Sequence, residues 1–170
     1  MKKILLMFLI MLFPSISIAE IGQSASNFER TKFVRKYNFI IDTTIETGVF
    51  STSPGKEKSL YKNTDERFWI ELLTDKGGKT IFEQTLNYHL RQKPKEADAD
   101  RECALDFFNE ATGGKSDEKD FLSLYDSAPK HVGIKQEARI GGFLVSVVIY
   151  HQALFNEWFI VIKKTAGRNL

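Results

Sequence analysis

Two alternating segments joined by a short turn place the strongest constraint on the fold of this chain. In 66–74, ERFWIELLT, nearly every second side chain is apolar, and 79–92, KTIFEQTLNYHLRQ, alternates in the same way. A period of two residues predicts β-strands, because successive side chains of a strand point to opposite faces. The intervening segment 75–79, DKGGK, contains two glycines that can adopt positive φ. We therefore predict a β-hairpin here.

Four further segments carry strand patterns of different kinds. Residues 32–42, KFVRKYNFIID, alternate and include aromatic and β-branched residues, which favours a strand. The segment 131–140 is mixed and predicts an edge strand. Both 143–151, FLVSVVIYH, and 158–164, WFIVIKK, are rich in apolar residues. We expect 143–151 to be buried on both faces, or to pack against helices on one side.

Between these strand groups the pattern changes to a helical one. Pro94 can start a helix, and residues 96–112 then place apolar side chains on one face. A second short helix is predicted over 117–127. Grouped strands and grouped helices indicate an α+β fold. We predict a mainly antiparallel sheet of five to six strands, with both helices inserted between the strand groups and packed on one face.

Two polar segments are predicted to be irregular, in a chain that forms a single globular domain over 32–170. Residues 20–31, EIGQSASNFERT, are predicted to form an N-terminal tether. Residues 51–64, STSPGKEKSLYKNT, contain Pro-Gly, serines and four charges, which predicts a loop. Loops of this length in a compact domain are often functional.

The first twenty residues, MKKILLMFLIMLFPSISIAE, have the pattern of a secretory signal peptide. Two lysines precede a short apolar run, and Ser17-Ile18-Ala19 supplies small residues before a cut. The run is short compared with the roughly 20 apolar residues of a spanning helix. We predict cleavage after Ala19 and a periplasmic or secreted protein without stable membrane insertion. An uncleaved N-terminal anchor is the alternative.

Cleavage would change the charge balance on which a nucleic-acid partner depends. The chain has 24 Lys and Arg against 22 Asp and Glu, and Lys2 and Lys3 are the excess. Non-specific nucleic-acid binding needs an excess of basic groups that displace phosphate counterions. The remaining chain is formally neutral, so we expect no nucleic-acid partner. The single cysteine, Cys103, lies among apolar residues and is expected to be buried; a disulfide between chains or a reactive thiol are the alternatives.

Motifs for familiar enzyme chemistry are absent or incomplete. GGKS, 113–116, ends like a phosphate-binding loop, but Asn109 stands where that motif requires its first glycine. G-x-S-x-G does not occur, and the three histidines show no metal-ligand spacing. We therefore predict no catalytic residues, no metal and no cofactor. His89 and His151 each lie near a strand end, and a polar site would require the fold to bring them together.

Aromatic residues are the other chemical resource, with fourteen Phe, five Tyr and two Trp. Most of them should form the core, but a sheet covered on one side leaves the other available, and interface hot spots favour Trp and Tyr. Large exposed apolar patches indicate binding. The candidate partner contacts are Trp69, Trp158, Tyr61, Lys56 and Lys58.

Taken together, these features favour a non-enzymatic protein-binding module of a bacterial envelope. An inhibitor, an immunity protein or an assembly factor would all have this size and this export pattern. The expected partner is another envelope or secreted protein. A periplasmic carrier with an apolar cavity between sheet and helices is the first alternative. A small hydrolase that uses His89 or His151 is the second.

Overall fold

The computed structural model describes residues 20–46, 55–90, 94–151 and 156–165. Residues 1–19 lie outside this range, and with them the predicted signal peptide. The strands are β1 (Phe39–Glu46), β2 (Glu57–Asn63), β3 (Phe68–Thr74), β4 (Ile81–Leu90), β5 (Gln136–Ile140), β6 (Phe143–His151) and β7 (Asn156–Lys164). The helices are α1 (Ala25–Phe28), α2 (Lys32–Lys36), α3 (Pro94–Thr112) and α4 (Glu118–Ser127), followed by a 3₁₀ turn (Ala128–His131).

All seven strands form one antiparallel sheet in the order β1-β2-β3-β4-β7-β6-β5. The predicted α+β class is therefore confirmed, with more strands than the predicted five to six. The last strand, β7, enters between β4 and β6, so it joins the two hairpin groups into one sheet. The centre of the sheet is consequently built from residues that lie far apart in the sequence.

The predicted hairpin is confirmed as β3 and β4, with Ile70 opposite Leu86. Asp75 closes the turn, because its Oδ1 accepts a hydrogen bond from the Thr80 N–H at 2.9 Å. The pairing of Leu73 with Glu83 and of Thr74 with Ile81 leaves one extra residue, Phe82, on β4. This β-bulge turns a side chain out of the regular alternation.

Both predicted inserted helices are present, and they pack on one face of the sheet. α3 begins at Pro94, whose missing N–H costs nothing in the first helical turn. Its face buries Ala104, Phe107 and Phe108 completely. The ring of Phe108 stacks on Phe121 of α4 with centroids 4.5 Å apart. The core therefore lies between the sheet and these helices.

The predicted strand 32–42 is wrong in its first half, which forms α2. Thr31 caps this helix, since its Oγ1 accepts a hydrogen bond from the Val34 N–H at 3.2 Å. Phe33 and Val34 are adjacent in sequence and are both buried, which an alternating strand on one core cannot achieve. Asn38, at φ 54°, then turns the chain, and β1 begins at Phe39.

The predicted loop 51–64 is also wrong in its second half, which forms β2 between β1 and β3. Ser59, Tyr61 and Asn63 are buried, while the residues between them are partly exposed. The lysines that suggested a loop lie on the exposed side of the strand. Residues 51–54 lie outside the described range.

The N-terminal segment 20–31 packs against the domain, where the sequence predicted a tether. The Ile21 N–H donates to the Ala111 carbonyl at 2.9 Å, and the Gly22 N–H donates to the Ile81 carbonyl at 2.8 Å. Phe28 is fully buried in the core. The composition of the segment is polar, but its two largest apolar side chains are enough to attach it.

Gly141 and Gly142 form the two-residue turn between β5 and β6, with φ of +56° and +88°. Positive φ at both positions is typical of the turn that matches the twist of a hairpin. Gly141 also lies against Ser116. A Cβ at Gly141 would therefore clash with Ser116 Oγ and would be 3.1 Å from the Ser116 Cα. Gly142 has open space around it.

We predict that Gly141→Ala destabilises the protein more than Gly142→Ala does. Both substitutions place a side chain at positive φ, which costs about 1–2 kcal/mol. Gly141→Ala adds a clash with Ser116, which we expect to raise the loss to about 2–4 kcal/mol. Urea denaturation of the two variants measures the difference. Equal losses would show that Ser116 moves away without cost.

Candidate functional site

The two faces of the sheet differ in what covers them. Each of the four helices places buried side chains in the core on one face. On the other face, Trp69 is opposite Asn87 on β4, which is in turn opposite Phe159 on β7. These side chains are only partly buried. We call this surface the open face; its exposed and partly exposed apolar side chains include Ile40, Leu60, Trp69, Leu73, Leu144, Tyr150, Phe159 and Val161.

Charged side chains on the open face are matched across neighbouring strands. Lys58 of β2 lies 2.5 Å from Glu71 of β3, and Lys163 of β7 lies 2.7 Å from Glu83 of β4. Exposed pairs of this kind add little to stability. Their effect on recognition is larger. Because the charges of each pair cancel, the surface has no strong electrostatic potential of either sign. A partner of this surface would be held mainly by apolar contact.

One end of the open face combines an aromatic ring with polar groups. The rings of Trp69 and His89 lie with centroids 4.8 Å apart. His89 Nε2 is 3.9 Å from Glu157 Oε1 on β7. The His89 ring therefore lies between an indole ring and a carboxylate. This end of the surface can accept a hydrogen bond as well as apolar contact.

Of the predicted aromatic partner contacts, only Trp69 lies on the open face. Trp158 is 3% exposed and is stacked between Tyr88 and Tyr125, with centroids at 5.8 Å and 4.6 Å. Tyr61 is 2% exposed, and its hydroxyl donates to Glu29 Oε1 at 3.2 Å. Both prefer the core because their strand positions point toward the helices. Both side chains therefore lie in the core, on the face of the sheet that the helices cover.

The two predicted lysines lie at the sheet surface in different settings. Lys58 is on the open face, in the ion pair with Glu71. The Lys56 ammonium lies over the ring of Phe82, 3.4 Å from its centroid. The exposed ring thus forms a cation–π contact with the residue that immediately precedes β2.

The structure does not bring the two candidate histidines together. His89 on β4 is opposite Glu157, and Glu157 is opposite Tyr150 on β6. His151 follows Tyr150 and so points to the other face, at a strand end, where its Nδ1 lies 2.7 Å from Asn156 Oδ1. A strand separates them, and they face opposite sides of the sheet. The geometry therefore offers no shared polar site for them.

A buried polar cluster under α3 was not predicted from the sequence. Asp100 is fully buried and forms an ion pair with Arg67, whose side chain is 16% exposed. Nearby, the hydroxyls of Tyr88 and Tyr125 are 2.6 Å apart. The acidic residues of 96–110 have the spacing of a solvated helix face, so this spacing does not distinguish the buried Asp100 from its exposed neighbours. A signal was present, since Asp100 is four residues before the buried Ala104 and shares its face.

Burial changes the proton affinities within this cluster. Desolvation raises the pKa of the Tyr88 hydroxyl well above its ordinary value, and the neighbouring Tyr125 and Asp100 raise it further. Desolvation likewise raises the pKa of the Cys103 thiol, with Asp100 and Asp106 adding to the shift. Cys103 is fully buried, as expected. A reactive cysteine needs the opposite setting, with a lowered pKa and access to solvent.

Among the residues that the structure describes, no group of three or more His, Cys, Asp or Glu side chains is arranged to hold a metal ion. Within the same residues, no helix is both long enough and apolar enough to cross a membrane. Comparison with protein-family models, with curated proteins and with solved structures finds no match to this chain.

Proposed function

We propose that this protein is a non-enzymatic binding module of the bacterial envelope, and that its open face holds another envelope or secreted protein. The observation that supports this proposal is the partly exposed row of Trp69 and Phe159 on a sheet whose helices all pack on the other face. Apolar patches with a polar rim are typical of protein-binding surfaces. The inhibitor, immunity and assembly-factor roles all require such a surface.

The proposal includes export, with cleavage of the leader near Ala19. Residues 1–19 have the sequence pattern of a signal peptide. The intact mass of the protein recovered from a periplasmic extract tests this part. A chain that begins at Glu20 would support export, whereas a membrane-bound chain of full mass would contradict it.

Photo-crosslinking in cells tests the open face directly. A photoreactive phenylalanine analogue replaces Trp69 or Val161 on the open face, or Ser123 on the exposed side of α4 as a control. We expect the two open-face positions to yield the same protein adduct and the control to yield none. Adducts of equal yield from all three positions, or from none, would overturn the proposal.

We predict that Trp69→Ala weakens the complex with the crosslinked partner by roughly 30-fold or more, as is usual for an aromatic hot spot. Stability should change much less, because the Trp69 side chain is only partly buried. The measurement is a titration of the purified partner by calorimetry, with Ser123→Ala as the matched surface control. An unchanged affinity would remove Trp69 from the binding surface.

A further inference from the structure

A groove at one end of the open face has the shape and charge of a small-ligand site. Its volume is about 450 Å³, within the range of roughly 300–1,000 Å³ that ligand sites occupy. The N-terminal segment at Ile21 and Gly22 forms one wall, and the ends of β4 and β7 form the other. We call it the Phe82 groove, after the aromatic residue that lines it.

The bulge on β4 gives the Phe82 groove its apolar surface. Phe82 is the extra residue of the bulge and remains 38% exposed, while Ile81 beside it is fully buried. Leu73 lies across from the bulge and also lines the groove. Bulges often re-aim a side chain next to a functional site. Here the bulge points the Phe82 ring toward the groove. In a regular strand the ring would point to the opposite face of the sheet.

The charges around the groove favour an anion with a single negative charge. Lys163 is already paired with Glu83 at 2.7 Å. Lys164 also lines the groove, with its ammonium 3.9 Å from the place that a Cβ on Gly22 would take. Within the described residues Lys164 forms no ion pair. Among the described residues that line the groove, Lys164 is the cation outside an ion pair, and the Lys56 ammonium lies beside the groove, 3.4 Å from the centroid of the Phe82 ring. This positive charge fits a carboxylate, and the nearby Glu83 would repel an anion of higher charge.

We propose that the Phe82 groove binds an amphiphilic monocarboxylate. Its apolar chain lies against Phe82 and Leu73, and its carboxylate accepts hydrogen bonds from the Lys164 ammonium. Gly22 and Lys164 both line the groove, so the ammonium lies beside the wall that the N-terminal segment forms. The groove shares Leu73 with the open face but is not lined by Trp69 or Phe159, so substitutions at Lys164 and at Trp69 test the two proposals independently.

Titration with octanoate, followed by backbone amide chemical shifts in NMR, tests the proposal. We expect saturable shifts at residues 21–22, 80–83 and 163–164, whereas 1-octanol and octyltrimethylammonium at equal concentration should produce much weaker shifts there. Binding without dependence on the headgroup would contradict the role of Lys164, and shifts that never saturate would contradict a site.

Two substitutions locate the binding within the groove. Lys164→Gln removes the ammonium and should weaken octanoate binding about tenfold, as expected for the loss of one charge-assisted hydrogen bond. Phe82→Ser should weaken it by a similar factor, and the exposed Lys130→Gln, remote from the groove, should leave it unchanged. Equal affinity in Lys164→Gln and Lys130→Gln would overturn the proposal, as would unchanged binding by Phe82→Ser.

Discussion

Raising the pH from 9 to 11 should lower the free energy of unfolding by about 7 kcal/mol, which approaches the whole stability of many domains. Burial raises the pKa of Tyr61, Tyr88, Tyr125 and the Cys103 thiol, so these groups stay neutral in the folded protein. In the unfolded chain tyrosine ionises near pH 10 and cysteine near 8.5. Protons then leave the unfolded state first, and stability falls as the pH rises.

The size of this effect follows from the number of buried groups; the pKa of Tyr37 is also raised, but this side chain is partly exposed and adds less. Each buried tyrosine should account for about 1.4 kcal/mol of the loss by pH 11, and Cys103 for roughly 2.5 kcal/mol between pH 9 and 11. Below about pH 7 all four groups are protonated in both states, so their pH dependence should vanish. Urea denaturation at a series of pH values, followed by circular dichroism, measures the slope.

Two variants separate the contributions. Cys103→Ala should remove the part of the slope that begins near pH 8.5 and leave the part near pH 10. Tyr125→Phe should remove about a third of the tyrosine share. A free energy of unfolding that is constant from pH 9 to 11 would mean that these hydroxyls and the thiol reach solvent in the folded state.

Periodicity predicted the elements whose pattern is local. The hairpin of β3 and β4 and the inserted helices follow from alternation and from helical spacing within single segments. The prediction of where β1 begins was wrong. The helix that precedes β1 is capped by Thr31, and the burial of Phe33 and Val34 in it depends on contacts with other parts of the chain. Alternation alone therefore cannot distinguish a short helix followed by a strand from one longer strand.

Face assignment was the harder problem at the candidate site. Trp69 and Trp158 both occupy strand positions, but one lies on the open face and the other beneath the helices. The segment 158–164 is apolar at both parities in its first half, so alternation does not distinguish its two faces. Only the pairing of Trp158 with Tyr88 decides that it points inward.

The ion pair between Arg67 and Asp100 carries the second large expected effect. Asp100→Ala should lower the free energy of unfolding by about 3–5 kcal/mol, because it leaves a largely buried guanidinium without its carboxylate. The matched control is Asp126→Ala, which breaks the exposed pair between Arg101 and Asp126 at 2.9 Å. We expect that change to cost less than about 1 kcal/mol. Urea denaturation at neutral pH compares the two variants.

The double variant Arg67→Met with Asp100→Leu distinguishes a stabilising ion pair from one that is merely expensive to break. Two apolar residues of similar volume remove both charges, and such replacements in other buried pairs are often neutral or stabilising. We therefore expect the double variant to recover most of the stability that Asp100→Ala loses. If its loss instead equals the sum of the losses measured for Arg67→Met and for Asp100→Leu alone, the residues do not interact energetically. In that case the cost of Asp100→Ala would come from packing at α3, and the buried pair would have no part in joining that helix to the start of β3.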